Sequence, residues 1–406
     1  MMLKRMKKEN IIPLALLILV IICCVVTIFT YSVGLNSYDG FDYLEDVYWA
    51  KATLESKSLV SPDYNYVYII PFGANLIMAP FVAAFGVSLI SNQLGMAVYF
   101  VIYLLTVYYL ATSIFKQTKD RMYFIAIVTM FILTLIGDSL FHHILAYGIG
   151  FISFMGELAS LINIYKNKEK LLKHYILLGI YCSWSSFNGL GVTALSTIAI
   201  VGAMAVYCYI NRINVLKVER KIINALIVIG ITTLAGLAVF AILNNGRDYG
   251  SFVFCNRDLI IQRPFIDFFK DLYNIFYFDP EGVPFFSIKG LLFFMRLFFS
   301  YTVFVIPAFY IFKKTDKTQI EIFITISCML LLAISYAMWL FSPRSSERTL
   351  FNGILGLFVL CGIIFNQWFF KMEKRDMFVI KTILVILVTL LSIKQITYSY
   401  KRKRTY

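Results

Sequence analysis

Residues 37–96 read SYDGFDYLEDVYWAKATLESKSLVSPDYNYVYIIPFGANLIMAPFVAAFGVSLISNQLGM, and they decide the fold of this chain. The stretch opens with four acids, Asp39, Asp42, Glu45 and Asp46, and closes inside an apolar run that covers residues 69–115. Nearly fifty apolar residues are enough for two membrane spans by length alone. Whether this run crosses the membrane once or twice therefore sets the orientation of everything that follows.

The charges on either side of the run answer that question. If it crossed twice, the basic loops KQTKDR (116–121) and YKNKEK (165–170) would both face outwards. If only residues 91–115 cross, both loops lie in the cytoplasm, where basic loops are retained. Residues 71–89 are then predicted to form a surface-lying or re-entrant helix on the outer side. Pro71, Gly73, Pro80 and Gly86 favour such a broken element over a straight span.

The composition places the whole chain in a membrane. Of its 406 residues 60% are hydrophobic and only 15% are charged, which is more apolar surface than a soluble core could bury. The basic start MMLKRMKKEN precedes an apolar run at 11–31, which predicts an uncleaved first span with a cytoplasmic N-terminus. The net charge of +14 is attributed to cytoplasmic loops and contact with anionic membrane lipids, and nucleic acid is not expected as a partner.

The fold class expected is an all-α polytopic membrane protein with about eleven spans in a single domain, residues 1–406. Two extracytoplasmic loops are predicted, at 32–90, with the candidate catalytic acids and short surface helices, and at 244–289. With eleven spans the C-terminal tail KRKRTY would lie outside, against the positive-inside tendency, so either one span near the end is miscounted or the last helix does not cross, and the side of the C-terminus stays open. Beyond 11–31 and 91–115 the predicted spans are 122–137, 143–165, 172–187, 190–210, 222–243, 290–312, 320–341, 350–370 and 378–394.

The acids of the first loop have two interpretations. Asp42 and Asp46 are four residues apart, so a helix places both on one face. They form either a solvated acidic turn after the first span or the carboxylates of an active site. The residues that follow favour the second interpretation: Tyr48-Trp49-Ala50, Glu55-Ser56, Pro62, Tyr66, Pro71, and then Phe85-Gly86 before the next span.

This order resembles the first extracytoplasmic loop of the GT-C superfamily of membrane glycosyltransferases, in particular the branch of the protein O-mannosyltransferases and the lipid A aminoarabinose transferase. Counting back from Ser56 and Ala50, the leading acid of the family falls on Asp42. The second acid falls on Tyr43, and the glycine after Ser56 is replaced by Lys57. The resemblance implies a transfer of sugar from a polyprenyl-phosphate donor to an acceptor in the cell envelope, with Asp42 or Asp46 as the base.

A second patch, SPRSSERTLFNG (342–353), resembles the "RY" element of the same superfamily, with Arg348 in the arginine place. Arg344 and Arg348 would then hold the donor phosphate, because a guanidinium binds phosphate in a forked geometry. The competing interpretation is that both arginines reach lipid headgroups at the end of a span.

Other candidates complete the predicted site. Asp39, Tyr66, His142 and His143 are expected to bind substrate, the two histidines from the short outer loop DSLFHH. A divalent metal ion is left open as a cofactor, although adjacent histidines point different ways. SFNGLG (186–191) predicts a tight turn. Glu157 stands alone in a span, and pairing between helices is its preferred explanation.

Two rival functions stay open. A lipid or solute transporter, such as a flippase, would show acids or broken helices in paired positions at mid-membrane, whereas the acids here cluster at one face. A non-catalytic membrane protein of envelope assembly is the other, since Tyr43 replaces the second acid. The sequence contains no P-loop, dinucleotide-binding turn or HExxH motif, so soluble nucleotide chemistry is disfavoured.

Overall fold

The computed structural model describes residues 10–30, 38–61, 71–134, 139–167, 171–212, 219–244, 288, 318–341 and 351–371. This part of the chain is helical and contains no strand, which confirms the all-α prediction. The helices are α1 (Ile11–Thr30), α2 (Tyr38–Ser56), α3 (Ala74–Phe85), α4 (Leu89–Ile114), α5 (Thr118–Thr134), α6 (Ser139–Lys166), α7 (Leu171–Ser186), α8 (Leu190–Thr193), a π-helical turn (Ala194–Ile198), α9 (Ala199–Ile210), α10 (Arg220–Asn244), α11 (Gln319–Phe341) and α12 (Phe351–Lys371).

Within the described residues, five helices are long and apolar enough to cross a membrane, namely Ile11–Phe29, Leu89–Ile114, Gly148–Lys166, Leu190–Ile210 and Arg220–Leu243. Shorter apolar helices are Ala74–Phe85, Gln319–Ser335 and Phe351–Ile364. The predicted spans at 290–312 and 378–394 lie outside the described residues, as does almost all of the 244–289 loop. A membrane protein is therefore supported, while the count of eleven spans stays a prediction.

The exposed faces of these helices are apolar, as expected for surfaces that meet lipid. On α4, Val101 and Leu105 are exposed, and on α10 so are Ile231 and Leu234. A helix that is apolar all round belongs in a membrane or a large core. The buried centre is α6, where Phe151, Phe154 and Met155 are inaccessible, with α4 and α7 packed along it.

The break predicted within residues 71–89 lies at Gly86. This glycine ends α3 with φ +68°, a conformation that favours glycine, and α4 begins three residues later. Ser91 on α4 bonds back through its Oγ to the carbonyl oxygens of Gly86 (2.7 Å) and Phe81 (3.1 Å). Met78 packs on Gly95, so α3 and α4 form an antiparallel hairpin. With 12 residues, α3 is about 18 Å long, short of a straight crossing.

The first two spans fix the level of this hairpin. The side chain of Gln93 donates from Nε2 to the carbonyl oxygen of Phe29 at the end of α1 (3.2 Å). The antiparallel pairing of Met78 with Gly95 places the start of α3 near residue 100 of α4, about 9 to 11 Å along the axis from Gln93. The start of α3 therefore does not lie level with the end of α1. It lies deeper in the bundle, beside the middle of α4.

The end of α2 holds a lysine in a strained conformation. Lys57 follows the last residue of α2 with φ +54°, in the left-handed region where side chains cost about 1 to 2 kcal/mol. Replacing Lys57 by glycine removes this cost but adds backbone freedom to the unfolded chain. We expect Lys57→Gly to stabilise the fold by about 0.5 to 1 kcal/mol. Thermal unfolding of the purified protein measures this change.

Lys51→Gly is the matched control, since Lys51 is an exposed residue inside the same helix. It should lower stability by about 1 kcal/mol, the usual cost of glycine in a helix interior. If both glycine variants lowered stability equally, Lys57 would carry no backbone strain.

Candidate active site

One face of α2 carries the candidate acids into the protein. Asp46, Trp49 and Ala50 are spaced as i, i+3 and i+4 and are all buried, with Asp46 only 5% exposed. Glu45 beside it is also buried. Glu45 and Asp46 therefore do not form a solvated turn, whereas the side chains of Asp39 and Asp42 lie outside the described residues. α2 packs mainly on α3, and Trp49 packs on Ile149 of α6.

The carboxyl group of Asp46 is a weaker acid than that of an ordinary aspartate. Its Oδ1 has no hydrogen-bond partner among the described residues. Burial, and then the neighbouring charge of Glu45, raise the pKa of the Asp46 carboxyl well above its usual range. A carboxylate whose pKa approaches the working pH is a better general base than an ordinary one.

The chain that follows α2 folds back against it. The indole Nε1–H of Trp49 donates to the carbonyl oxygen of Leu59 (3.2 Å), and Val60 packs on the same ring system. Ser56 Oγ bonds to the carbonyl oxygen of Ala52 (2.6 Å). The Trp49 contacts with Leu59 and Val60 thus hold the returning segment 57–61 against the face of α2 that carries Asp46 and Trp49.

A tie between distant residues holds the start of α3. The backbone N–H of Phe72 donates to Oδ1 of Asn188 (2.9 Å), and Trp184 Nε1–H donates to the carbonyl oxygen of Phe72 (2.8 Å). Asn188 Nδ2–H donates in turn to the carbonyl oxygen of Trp184 (2.6 Å). The predicted tight turn is confirmed, because the N–H groups of Asn188 and Gly189 bond back three residues and Gly189 has φ +97°.

We expect Asn188→Ala to destabilise the fold by about 1 to 3 kcal/mol, because it leaves the Phe72 N–H and the Trp184 carbonyl without their partner. Thermal unfolding measures this loss. Asn211→Ala is the control, since Asn211 also donates to the carbonyl four residues back, that of Tyr207, but makes no long-range hydrogen bond among the described residues. Equal melting temperatures for the two variants would show that α3 is held without this tie.

An apolar groove of about 640 Å³ opens beside the tie, between α3 and α7. Among the described residues that line it, Ser183 is the only one with a hydroxyl group and Trp184 the only one with an indole. The lining is Phe72, Gly73, Leu76, Ile77, Ile176, Gly179, Ile180, Ser183, Trp184 and Phe187. A groove of this size and character accepts a hydrocarbon chain better than a polar solute.

Two further polar side chains are buried with unpaired atoms. Asn352, in the first turn of α12, is inaccessible, and neither its Oδ1 nor its Nδ2 has a partner in the described part of the chain. It packs against Gly150 of α6. The hydroxyl of Tyr99 is likewise unpaired there and lies against Gly148. No sequence pattern singles out Tyr99, and the one available signal for Asn352 is its place four residues after Arg348 in the sequence.

The remaining predicted residues fall as follows. Asp39 and Asp42 belong to α2, so Asp42 lies one turn before Asp46 on the same face, while their side chains lie outside the described set. His142 and His143 were expected in a loop, and that was wrong, because α6 begins at Ser139 and includes both. Tyr66, Arg344 and Arg348 lie outside the described residues. In the described ranges, no three His, Cys, Asp or Glu side chains are grouped to hold a metal ion.

Comparison with known proteins gives this chain no relatives. No protein-family model, no curated protein and no solved structure matches it.

Proposed function

We propose that this protein is a membrane glycosyltransferase, which transfers a sugar from a polyprenyl-phosphate donor to an acceptor of the bacterial cell envelope on the outer face of the plasma membrane. The acceptor hydroxyl attacks the anomeric carbon and gives its proton to Asp46 or Asp42. The bond from that carbon to the phosphate oxygen breaks, and polyprenyl phosphate leaves with the electron pair. Arg344 and Arg348 neutralise the leaving phosphate.

The observation that carries this proposal is the burial of Asp46. A carboxyl group taken out of water without a donor to its Oδ1 costs stability, and a fold keeps such a group where its basicity is used. Asp46 lies on α2, the helix that follows the apolar helix α1 in the chain. The GT-C superfamily, which this stretch resembles, has its catalytic loop at this place. Asp42, one turn earlier on the same face, is the alternative base.

Two features of the surrounding structure support the choice of a lipid-linked donor. The apolar groove between α3 and α7 would accept part of the polyprenyl chain. It lies next to α3, the helix on which α2 packs. The unpaired amide of Asn352, four residues after Arg348 in the sequence, would give a donor to the phosphate or to a sugar hydroxyl.

The left-handed backbone at Lys57 supports the resemblance itself. The family has glycine at this place, and a φ of +54° is the conformation that glycine adopts without strain. The loop therefore turns here as a glycine turn does, although the residue has changed.

Release of the carrier tests the proposal. The purified full-length protein would be incubated with a radiolabelled polyprenyl-phosphate sugar and an extract of envelope lipids and glycans, and free polyprenyl phosphate would be measured. We expect release that depends on the extract and on Asp46. Intact donor after incubation, with the sugar lipid moved across a vesicle membrane instead, would reject a transferase.

That second outcome belongs to the rival function, a lipid flippase, and one observation favours it. Glu157 is inaccessible within α6 and accepts a hydrogen bond from Thr197 Oγ1 (2.9 Å) on the π-helical turn, while its Oε2 is unpaired among the described residues. Carboxyls inside membranes and π-helical turns are both frequent at functional sites. A transporter would need Glu157 for movement of the lipid, whereas a transferase would tolerate Glu157→Gln, which keeps an acceptor for Thr197.

A further inference from the structure

A partly open cavity lies at the opposite end of the bundle from α2. It has a volume of about 310 Å³ and is formed where α6, α9, α10 and α11 meet. Its walls are mainly aliphatic and aromatic, with Leu161, Met204, Ile222 and Phe323 among them. Neither the proposed sugar transfer nor its lipid groove uses this cavity.

Polar contacts line one side of the cavity. The hydroxyl of Tyr207 donates to Oε1 of Gln319, and the ring of Tyr207 meets Phe323 edge to face. Glu219, at the start of α10, pairs with Lys221 (3.0 Å). Lys221 also donates to the carbonyl oxygen of Tyr165 (2.7 Å), and its ammonium lies 5.5 Å from the centre of that ring. The cavity is thus apolar in its depth and charged at its rim.

The surroundings of the rim are basic. Arg212 and Arg220 are exposed, and Lys221 is partly buried. Glu321, the other described acid here besides Glu219, is bonded to the backbone N–H of Thr318 at the start of its own helix. In the sequence, the adjoining loops add four lysines and one aspartate, Lys217, Lys313, Lys314, Lys317 and Asp316. The positive-inside tendency assigns this end to the cytoplasm.

An exposed aromatic residue places the rim at the level of lipid headgroups. Tyr209, near the end of α9, is 85% exposed and is followed by the exposed Ile210. Tyrosine is enriched at the interface between membrane and water. The cavity therefore opens at the depth where the glycerol and phosphate of a phospholipid lie.

We infer that this cavity binds one acyl chain of an anionic phospholipid, whose phosphate is held at Arg220 and Lys221. Basic pockets between membrane helices on the cytoplasmic side hold such headgroups, since anionic lipids are found in that leaflet. The phosphate competes with Glu219 for Lys221, so the site discriminates between headgroups by charge. A zwitterionic lipid with the same chains would fill the cavity but gain little from the rim.

A native cysteine gives a direct test, because Cys208 lines the cavity and is partly exposed. The purified full-length protein in detergent would react with a maleimide in the presence of phosphatidylglycerol or of phosphatidylcholine with the same chains. Labelling of the Cys208 peptide would be read by mass spectrometry. We expect phosphatidylglycerol to slow the reaction at concentrations about fivefold or more below those needed with phosphatidylcholine.

Variants distinguish the binding of the acyl chain from the recognition of the lipid headgroup. Arg220→Gln should reduce the preference for phosphatidylglycerol over phosphatidylcholine about fivefold. Glu219→Gln should increase this preference, because Lys221 loses its ion pair with Glu219 and is free to bind the phosphate. Met204→Trp fills the cavity and should abolish protection by either lipid. Lys173→Gln, an exposed lysine on α7, should change nothing. Equal protection by the two lipids in the wild type, or a preference unchanged in both Arg220→Gln and Glu219→Gln, would overturn the inference.

Discussion

Asp46→Asn should lower the turnover of sugar transfer by about a hundredfold or more and, at neutral pH, make the folded protein more stable. The loss follows from removing the general base, which contributes about a hundredfold or more. The gain follows from burial: Asp46 is only 5% exposed, and its Oδ1 has no partner among the described residues. A residue whose removal costs activity and improves stability is held for function and not for folding.

The stability of the wild type should depend on pH in a way that Asp46→Asn does not share. Because the pKa of Asp46 is raised in the folded state, the folded protein binds more protons than the unfolded chain. Its free energy of unfolding therefore falls as the pH rises from the unfolded pKa of about 4 to the raised folded pKa, by at most about 1.4 kcal/mol per pH unit. Asp46→Asn should lack this slope. Melting temperatures of both proteins between pH 4 and pH 8 measure the difference.

Glu55→Gln is the matched control, since Glu55 is an exposed acid on the same helix with only a surface ion pair to Lys51 (3.7 Å). Its stability and its pH slope should equal those of the wild type, and its turnover should be unchanged. If Asp46→Asn behaved like Glu55→Gln while Asp42→Asn was inactive, the base would be Asp42. Full activity in both aspartate variants would remove α2 from the site.

Much of the fold could be predicted because apolar runs end at charges. The run at 222–243 becomes α10 at Arg220–Asn244, and the run at 320–341 becomes α11 at Gln319–Phe341. The glycine at residue 86 predicted the break before α4. The start of α6 was missed, since polar residues fill the first turn of a helix as readily as a loop, and His142 and His143 stand before the apolar run.

The candidate site was harder to predict, because its burial depends on contacts that are distant in sequence. Polar and apolar residues alternate around α2, so nothing local indicates that Asp46 faces the protein. The tie from Asn188 to Phe72 joins residues 116 positions apart, and only the tertiary fold brings the end of α7 next to the segment before α3. The acids could be found by spacing and resemblance, whereas their environment could not.

The largest expected effect on donor use is that of Arg348. A charged hydrogen bond to phosphate contributes roughly 1.5 to 3 kcal/mol, so Arg348→Ala should weaken use of the lipid donor by about ten- to a hundredfold. Arg344→Ala should act in the same direction. The measurement is the initial rate of carrier release against the concentration of the polyprenyl-phosphate sugar.

Arg348→Lys decides between the two interpretations of this arginine. Lysine keeps the charge but loses the planar fork that binds two phosphate oxygens together. If Arg348 binds the donor phosphate, Arg348→Lys should be impaired almost as much as Arg348→Ala, since one ammonium cannot replace the fork. If Arg348 only reaches lipid headgroups at the end of a span, lysine does the same and the donor dependence stays that of the wild type. Unchanged donor dependence in Arg344→Ala, Arg348→Ala and Arg348→Lys alike would return both arginines to the lipid interface and leave the phosphate to Asn352 and the start of α12.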